Sequence, residues 1–163
     1  MKIISIDPGY EKVGIAILEK STYTKNKEVL IYSDCLLTSS QEDPAKRLFS
    51  IGLEIEKLIQ KHKPTIMAIE SLFFNNNQKT VMLVSEAKGI IKYVALRNKL
   101  SIFEYTPLQV KTAITGYGRS DKQQITTMVK NLIAIKKKIK HDDEYDAIAI
   151  GLTHFAINNL KTI

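Results

Sequence analysis

Cysteine is nearly absent from this chain. Cys35 is the only one, so no intrachain disulfide can form, and a reducing compartment, the cytoplasm, is the expectation. Histidine is scarce too: His62, His141 and His154 lack the short spacings of zinc sites. No apolar run approaches the ~20 residues that a membrane-spanning helix needs. The opening MKIISIDPGY also lacks the apolar stretch and small-residue cleavage site of a secretory signal. A soluble protein with no membrane partner is expected. Internal repeats, low-complexity tracts and Pro/Gly/Ser-rich linkers are missing, and the polar stretches near 20–28 and 39–44 are loop-sized. A length of 163 residues then suits one domain, 1–163, with one core.

What is present in excess is positive charge. There are 24 Lys and Arg against 17 Asp and Glu, a net charge of +7, and the isoelectric point is about 9.4. Such a balance favours a polyanionic partner, nucleic acid or an anionic membrane surface. A solubilising lysine surface explains it equally well.

Hydrophobic periodicity gives the elements. Residues 2–7 (KIISID), 13–18 (VGIAIL) and 29–37 (VLIYSDCLL) read as strands, the first closed by the turn residues Pro8-Gly9. Asp43-Pro44 supplies an N-cap and a proline at the first helical position. Leu48, Ile51, Ile55, Leu58 and Ile59 then recur at helical spacing to about His62. Residues 65–70 (TIMAIE) form a nearly all-apolar strand, suited to a buried parallel position. A long helix over 77–98, a strand at 102–105, helices around 107–114 and 121–134 and a last helix over 143–159 complete the chain. The order predicts an α/β fold with a mixed central sheet, its first three strands antiparallel.

Acids stand where such folds bind ligands, at strand ends. Asp7 ends the first strand; taken alone it reads better as a turn former before Pro-Gly. Glu70 ends an apolar strand, where an unpaired carboxylate is costly and calls for a cation or for solvent. Asp143 and Asp146, at i and i+3, can project from one face of the last helix. First-turn acids also complement the helix dipole, and either Asp142 or Asp143 could be the cap. The sequence that follows, AIAIGLTHFAI, is nearly all apolar, which lays this helix on the core and brings its acidic end to the sheet. Together the four carboxylates are the hard oxygen donors that Mg2+ and Mn2+ prefer. Two such ions ~4 Å apart can drive an in-line phosphoryl displacement.

Four blocks carry a resemblance: IDPGYEKVGIAIL (6–18), AIESLFFNNN (68–77), FEYTPLQVKTAITGYGRSDKQQI (103–125) and DDEYDAIAIGLTH (142–154). In this order they resemble the RuvC-type Holliday-junction resolvases of the ribonuclease H-like superfamily. The resemblance implies a ribonuclease H-like fold with a five-stranded sheet flanked by helices. It further implies a homodimer that cuts two opposed strands of a four-way DNA junction during recombination and repair. Asp7, Glu70, Asp143 and Asp146 take the metal-binding roles, with two Mg2+ per subunit expected and Mn2+ as the alternative. Hydrolysis leaving a 5′-phosphate and a 3′-hydroxyl is the usual outcome in the superfamily. Phe73 falls at the aromatic that engages unstacked bases, with Phe74 as its neighbour and competitor. Lys111 and Lys122 match basic positions beside the site, and a branch-migration helicase complex of the RuvA and RuvB type is the implied partner. The chain departs from the pattern in carrying Glu144-Tyr145 between the last two acids, and Asp142 competes with Asp143 as a ligand.

Lys111 and Lys122 flank the loop TGYGRSD, whose glycines permit close backbone approach to a ligand, and lysines there can stabilise developing phosphorane charge. Lys136, Lys137 and Lys138 precede the final acids and suit phosphate contact without sequence selectivity. Three other readings compete. A ribosomal-RNA-processing nuclease of the same superfamily shares the opening Asp-turn-Gly pattern. A sugar-kinase-like nucleotide binder requires a second domain, for which the length leaves no room. A non-catalytic junction-binding protein would use the acids only as caps and ion-pair partners.

Overall fold

Strand β1 (Lys2–Asp7) is buried from Ile3 to Ile6 on both faces, as a strand at the middle of a covered sheet must be. The computed structural model, which describes residues 1–20, 28–71 and 78–159, puts it there. The sheet runs β3 (Glu28–Leu37), β2 (Lys12–Lys20), β1, β4 (Ile66–Glu70), β5 (Ser101–Tyr105). β1–β2 and β2–β3 are antiparallel; β1–β4 and β4–β5 are parallel. This is the expected mixed five-stranded sheet with an antiparallel first half. The expected elements all form, with ends shifted by one or two residues, as fraying termini allow.

The period of two divides the sheet residues between two cores. Ile4, Ile6, Met67 and Ile69 face α1 (Pro44–His62) and α2 (Gln78–Arg97), which contribute Ile51, Ile55, Ile91 and Ala95. Ile3, Ala16, Leu18 and Ala68 face α3 (Pro107–Thr115), α4 (Lys122–Leu132) and α5 (Asp142–Asn159). Each fully buried isoleucine is worth about 1.5–3 kcal/mol of transfer free energy, so both layers are held firmly. α1 begins as its sequence predicts: the Asp43 carboxylate accepts from the Ala45 and Lys46 amides, and Pro44 opens the first turn.

The α5 layer is the closer one. The sheet presents Ser5, Ala16 and Ala68 to it, and α5 answers with Ala147 and Gly151, one turn apart. A β-carbon on Gly151 would stand 2.5 Å from the Leu18 side chain and 2.8 Å from Ser5 Oγ. Small residues thus set the helix-to-sheet distance, and with it the position of the acidic end of α5. Among the described residues no helix is long and apolar enough to cross a membrane.

Candidate active site

Ile6 and Ile69 are partners in the parallel β1–β4 ladder. Asp7 and Glu70 follow them, so the two acids end neighbouring strands at the same edge of the sheet. The alternation that turns Ile3 and Ala68 toward α5 turns Asp7 and Glu70 the same way. They line a cleft of about 270 Å³ together with Asp146, Lys111, Lys122, Pro107, Val110 and Ile125. Three of the four expected carboxylates and both expected lysines therefore meet at one place.

The fourth carboxylate reaches the site through the backbone. Gly14 is the ladder partner of Asp7, and a β-carbon on it would lie 2.0 Å from the Asp143 carbonyl oxygen and 3.2 Å from Asp7 Cβ. The bare glycine lets the first turn of α5 rest on the end of β1. Asp143 is half-buried beside Asp7, whereas Asp142 is exposed and lies 3.6 Å from Lys122. Of the two adjacent aspartates, Asp143 is the one whose charge bears on Asp7.

Like charges in a partly dry cleft disfavour ionisation. Burial, then the charges of Glu70, Asp146 and Asp143, hold the Asp7 carboxyl well above the usual range against the opposing pull of Lys122. Burial and Asp146 push Glu70 up to about 7, opposed by Lys88 and Lys111. Asp146 is raised by burial, which outweighs its contact with Lys122, the two groups standing 3.2 Å apart. Burial works downward on Lys122, but Asp146, Asp142 and Asp143 outweigh it and raise the ammonium. Lys122 occupies the first turn of α4 behind the cap Asp121, where the helix dipole disfavours a cation. The acids across the cleft compensate for that position.

Two charged neighbours of the carboxylates escape sequence reasoning. Lys88 on α2 is buried, reaches Glu104 Oε2 at 2.6 Å, and places a fixed positive charge near Glu70. Glu144, the residue that departs from the family pattern, is buried and accepts from Ser33 Oγ at 3.0 Å. It also pairs with Lys137 at 2.6 Å. Lys137 donates to the Ser33 carbonyl as well, so its ammonium ties α5 to β3. The Lys137 ammonium is thus paired within the protein, although the residue itself is exposed. Lys136 and Lys138 are exposed as well. Phe73 and Phe74 lie outside the described residues.

The donor set fits hard divalent cations. It is all carboxylate oxygen, and the raised Asp7, Glu70 and Asp146 form a cluster with more negative charge than Lys122 and Lys111 offset. Among the described residues no three such side chains already converge into a coordination shell; the acids stand around the cleft rather than closed upon a point.

Residues 3–154 match the family model described as crossover junction endodeoxyribonuclease RuvC. Proteins of that description from Fusobacterium nucleatum and Caldanaerobacter subterraneus are 42% and 39% identical to the chain. Each alignment covers 98% of the chain, and 82% and 95% of the respective relative. The Thermus thermophilus RuvC structure superposes with a TM-score of 0.89 at 26% identity, covering 99% of this chain and 98% of that one. T. thermophilus RuvC in complex with a Holliday junction substrate gives 0.90 at 27% identity, with 99% and 97% coverage. With its acids gathered at one sheet edge and its whole length matched, the chain belongs to the RuvC family of crossover junction endodeoxyribonucleases.

Proposed function

We propose that the chain resolves four-way DNA junctions by metal-dependent hydrolysis of two opposed phosphodiesters. The observation that carries this reading is the meeting of Asp7, Glu70 and Asp146, with Asp143 beside them, at a cleft that also holds Lys111 and Lys122. A pure binding module has no use for raised, mutually repelling carboxylates, since such groups cost stability.

When bound, two divalent cations, Mg2+ or Mn2+, supply activation of the attacking water and charge stabilisation at the leaving oxygen. The protein's part is to gather the four carboxylates at the cleft, with Asp7 and Glu70 fixed by the rigid strand ends, where bound cations would offset the repulsion that keeps them raised. Lys111 and Lys122 set positive charge beside the phosphate as negative charge builds there. Lys122, paired with Asp146 and Asp142 in the free protein, exchanges that contact for a phosphate oxygen. Departure of the 3′ oxygen leaves a 5′-phosphate and a 3′-hydroxyl that a ligase can seal. Lys136 and Lys138 add phosphate contacts, and Phe73 or Phe74 engages unstacked bases at the junction centre.

Opposed cuts require two sites related by symmetry. The outer faces of α1 and α2 suit the two-fold contact. Phe49, Leu53, Met82, Tyr93 and Leu96 are all exposed there. On α2, positions 82, 86, 89, 93 and 96 alternate four and three residues apart, the spacing of a helix–helix seam. Gly89 sits mid-seam with nothing within 4 Å of where its β-carbon would be. A glycine inside a helix costs about 1 kcal/mol relative to alanine, and close approach of a second α2 accounts for it. A branch-migration helicase complex of the RuvA and RuvB type is the partner that the family suggests.

The test is cleavage of a synthetic mobile four-way junction with and without Mg2+. Wild type should make paired, ligatable nicks only with metal. Asp7→Asn should bind the junction and leave it intact. Cleavage surviving in Asp7→Asn would overturn the metal-site reading.

A further inference from the structure

The loop that joins α3 to α4 holds the backbone of one exposed aromatic residue in place. Gly116, in the left-handed conformation at φ +75°, caps α3. The Tyr117 amide donates to Thr115 Oγ1 at 3.1 Å, and the Tyr117 carbonyl accepts from Ser120 Oγ at 2.7 Å. Thr115 Oγ1 and Ser120 Oγ are themselves 2.6 Å apart, and Ser120 is buried. Gly118 packs so closely that a β-carbon there would meet Leu108 Cδ1 at 2.5 Å. Both backbone groups of Tyr117 are thus fixed by internal hydrogen bonds, yet the residue is 58% exposed. Arg119, two residues on, is exposed and makes no ion pair among the described residues. The two helices that the loop connects supply Lys111 and Lys122 to the cleft.

An exposed aromatic on a fixed backbone loses less conformational entropy on contact than one on a free loop, and every nucleobase offers a π-face to it. Neither burial nor local hydrogen bonding explains the ring, and Arg119 and the cleft lysines Lys111 and Lys122 lie on the same loop and its two flanking helices. We propose that Tyr117 and Arg119 form a second DNA contact of the junction-cutting reading, on which this inference rests. Tyr117 stacks on an unstacked base beside the strand to be cut, and Arg119 meets a neighbouring phosphate. Neither residue is one of the carboxylates. The contact makes the loop a determinant of junction over duplex binding, because a continuous duplex offers no free base face.

The experiment measures binding of a labelled four-way junction, and of a linear duplex of the same sequence, without divalent metal across a salt series. Wild type, Tyr117→Ala, Tyr117→Phe, Tyr117→Leu and Arg119→Ala are compared, each checked for an unchanged melting temperature. Stacking predicts that Tyr117→Ala weakens junction binding about tenfold or more and leaves both duplex binding and the salt slope alone. Tyr117→Phe should retain wild-type affinity and Tyr117→Leu should not. Arg119→Ala should reduce the salt slope by about one. Wild-type junction affinity in Tyr117→Ala, or full rescue by leucine, overturns the proposal. Wild type cutting the junction in a parallel reaction with Mg2+ keeps these outcomes apart: failure there defeats the nuclease reading itself.

Discussion

Asp7 and Gly14 face each other across the β1–β2 ladder, and the space a side chain on Gly14 would need is taken by the Asp143 carbonyl oxygen, 2.0 Å from the missing β-carbon. The glycine is the hinge point between two proposed ligands. Gly14→Ala must push the first turn of α5 off the sheet or distort β2. Overpacking of this kind costs about 1–3 kcal/mol, which should leave the protein folded. Misplacing one carboxylate by an ångström costs catalysis far more, about 100-fold. Circular dichroism melts beside junction cleavage would show a folded protein with little activity.

Much of the site could be read from the chain because its signals are local. Asp7 and Glu70 each end an apolar strand, and Asp143 and Asp146 share one helical turn. The sheet was legible for the same reason, in the all-apolar runs of β1 and β4. Other features depend on contacts that no short window contains. Glu144 looked like a misfit acid because Lys137 and Ser33 reach it only after folding, Ser33 from 111 residues away. Lys88 acts near Glu70 by packing α2 on the sheet, and its partner Glu104 lies on another strand. Gly14 resembled an ordinary strand glycine until α5 was laid against it.

Glu70 makes the metal-free protein sensitive to pH. Its folded pKa is raised from the ordinary 4.5 to about 7, so the folded state holds its proton more tightly than the unfolded chain does. That contribution to stability is complete below about pH 4.5 and is lost as pH rises through about 7. The loss is on the order of 3 kcal/mol for that rise at 1.36 kcal/mol per pKa unit. In EDTA the melting temperature should fall between pH 5 and pH 8, and Glu70→Gln should flatten that fall. Mg2+ at pH 8 should restore the melting temperature of wild type and do little for Glu70→Gln.

Lys137 separates from its neighbours by the same kind of reasoning. Lys137→Ala leaves Glu144 buried and unpaired, a cost that reaches 3–5 kcal/mol for a fully buried pair. The Lys137 side chain is 44% exposed, and water weakens the interaction, so about 1–3 kcal/mol is expected. Lys136→Ala and Lys138→Ala should melt like wild type while each lowers the salt slope of junction binding by about one. Lys137→Ala should do the reverse, melting earlier with its slope unchanged. A reduced slope in Lys137→Ala would place that lysine among the phosphate contacts.

The α2 seam gives the prediction with the widest consequence. Tyr93 and Leu96 are exposed on the outer face of α2 with Gly89 open between them and Met82. None of these residues belongs to the cleft. Tyr93→Asp with Leu96→Asp puts two like charges on each side of a two-fold contact, where they face their own copies, and repulsion there should shift the dimer to monomer at micromolar concentration. Analytical ultracentrifugation reads that shift directly. The carboxylates are untouched, so each monomer should still nick one strand of a junction. The second, opposed cut should no longer be coupled to the first, and single nicks should accumulate in place of resolved duplexes. A monomeric variant that still produces paired cuts at the wild-type rate would place the two-fold contact elsewhere. Gly89→Leu tests the same seam without charge: its side chain fills the open position and should weaken the dimer if the helices cross there, while leaving the fold intact because nothing in the protomer occupies that space.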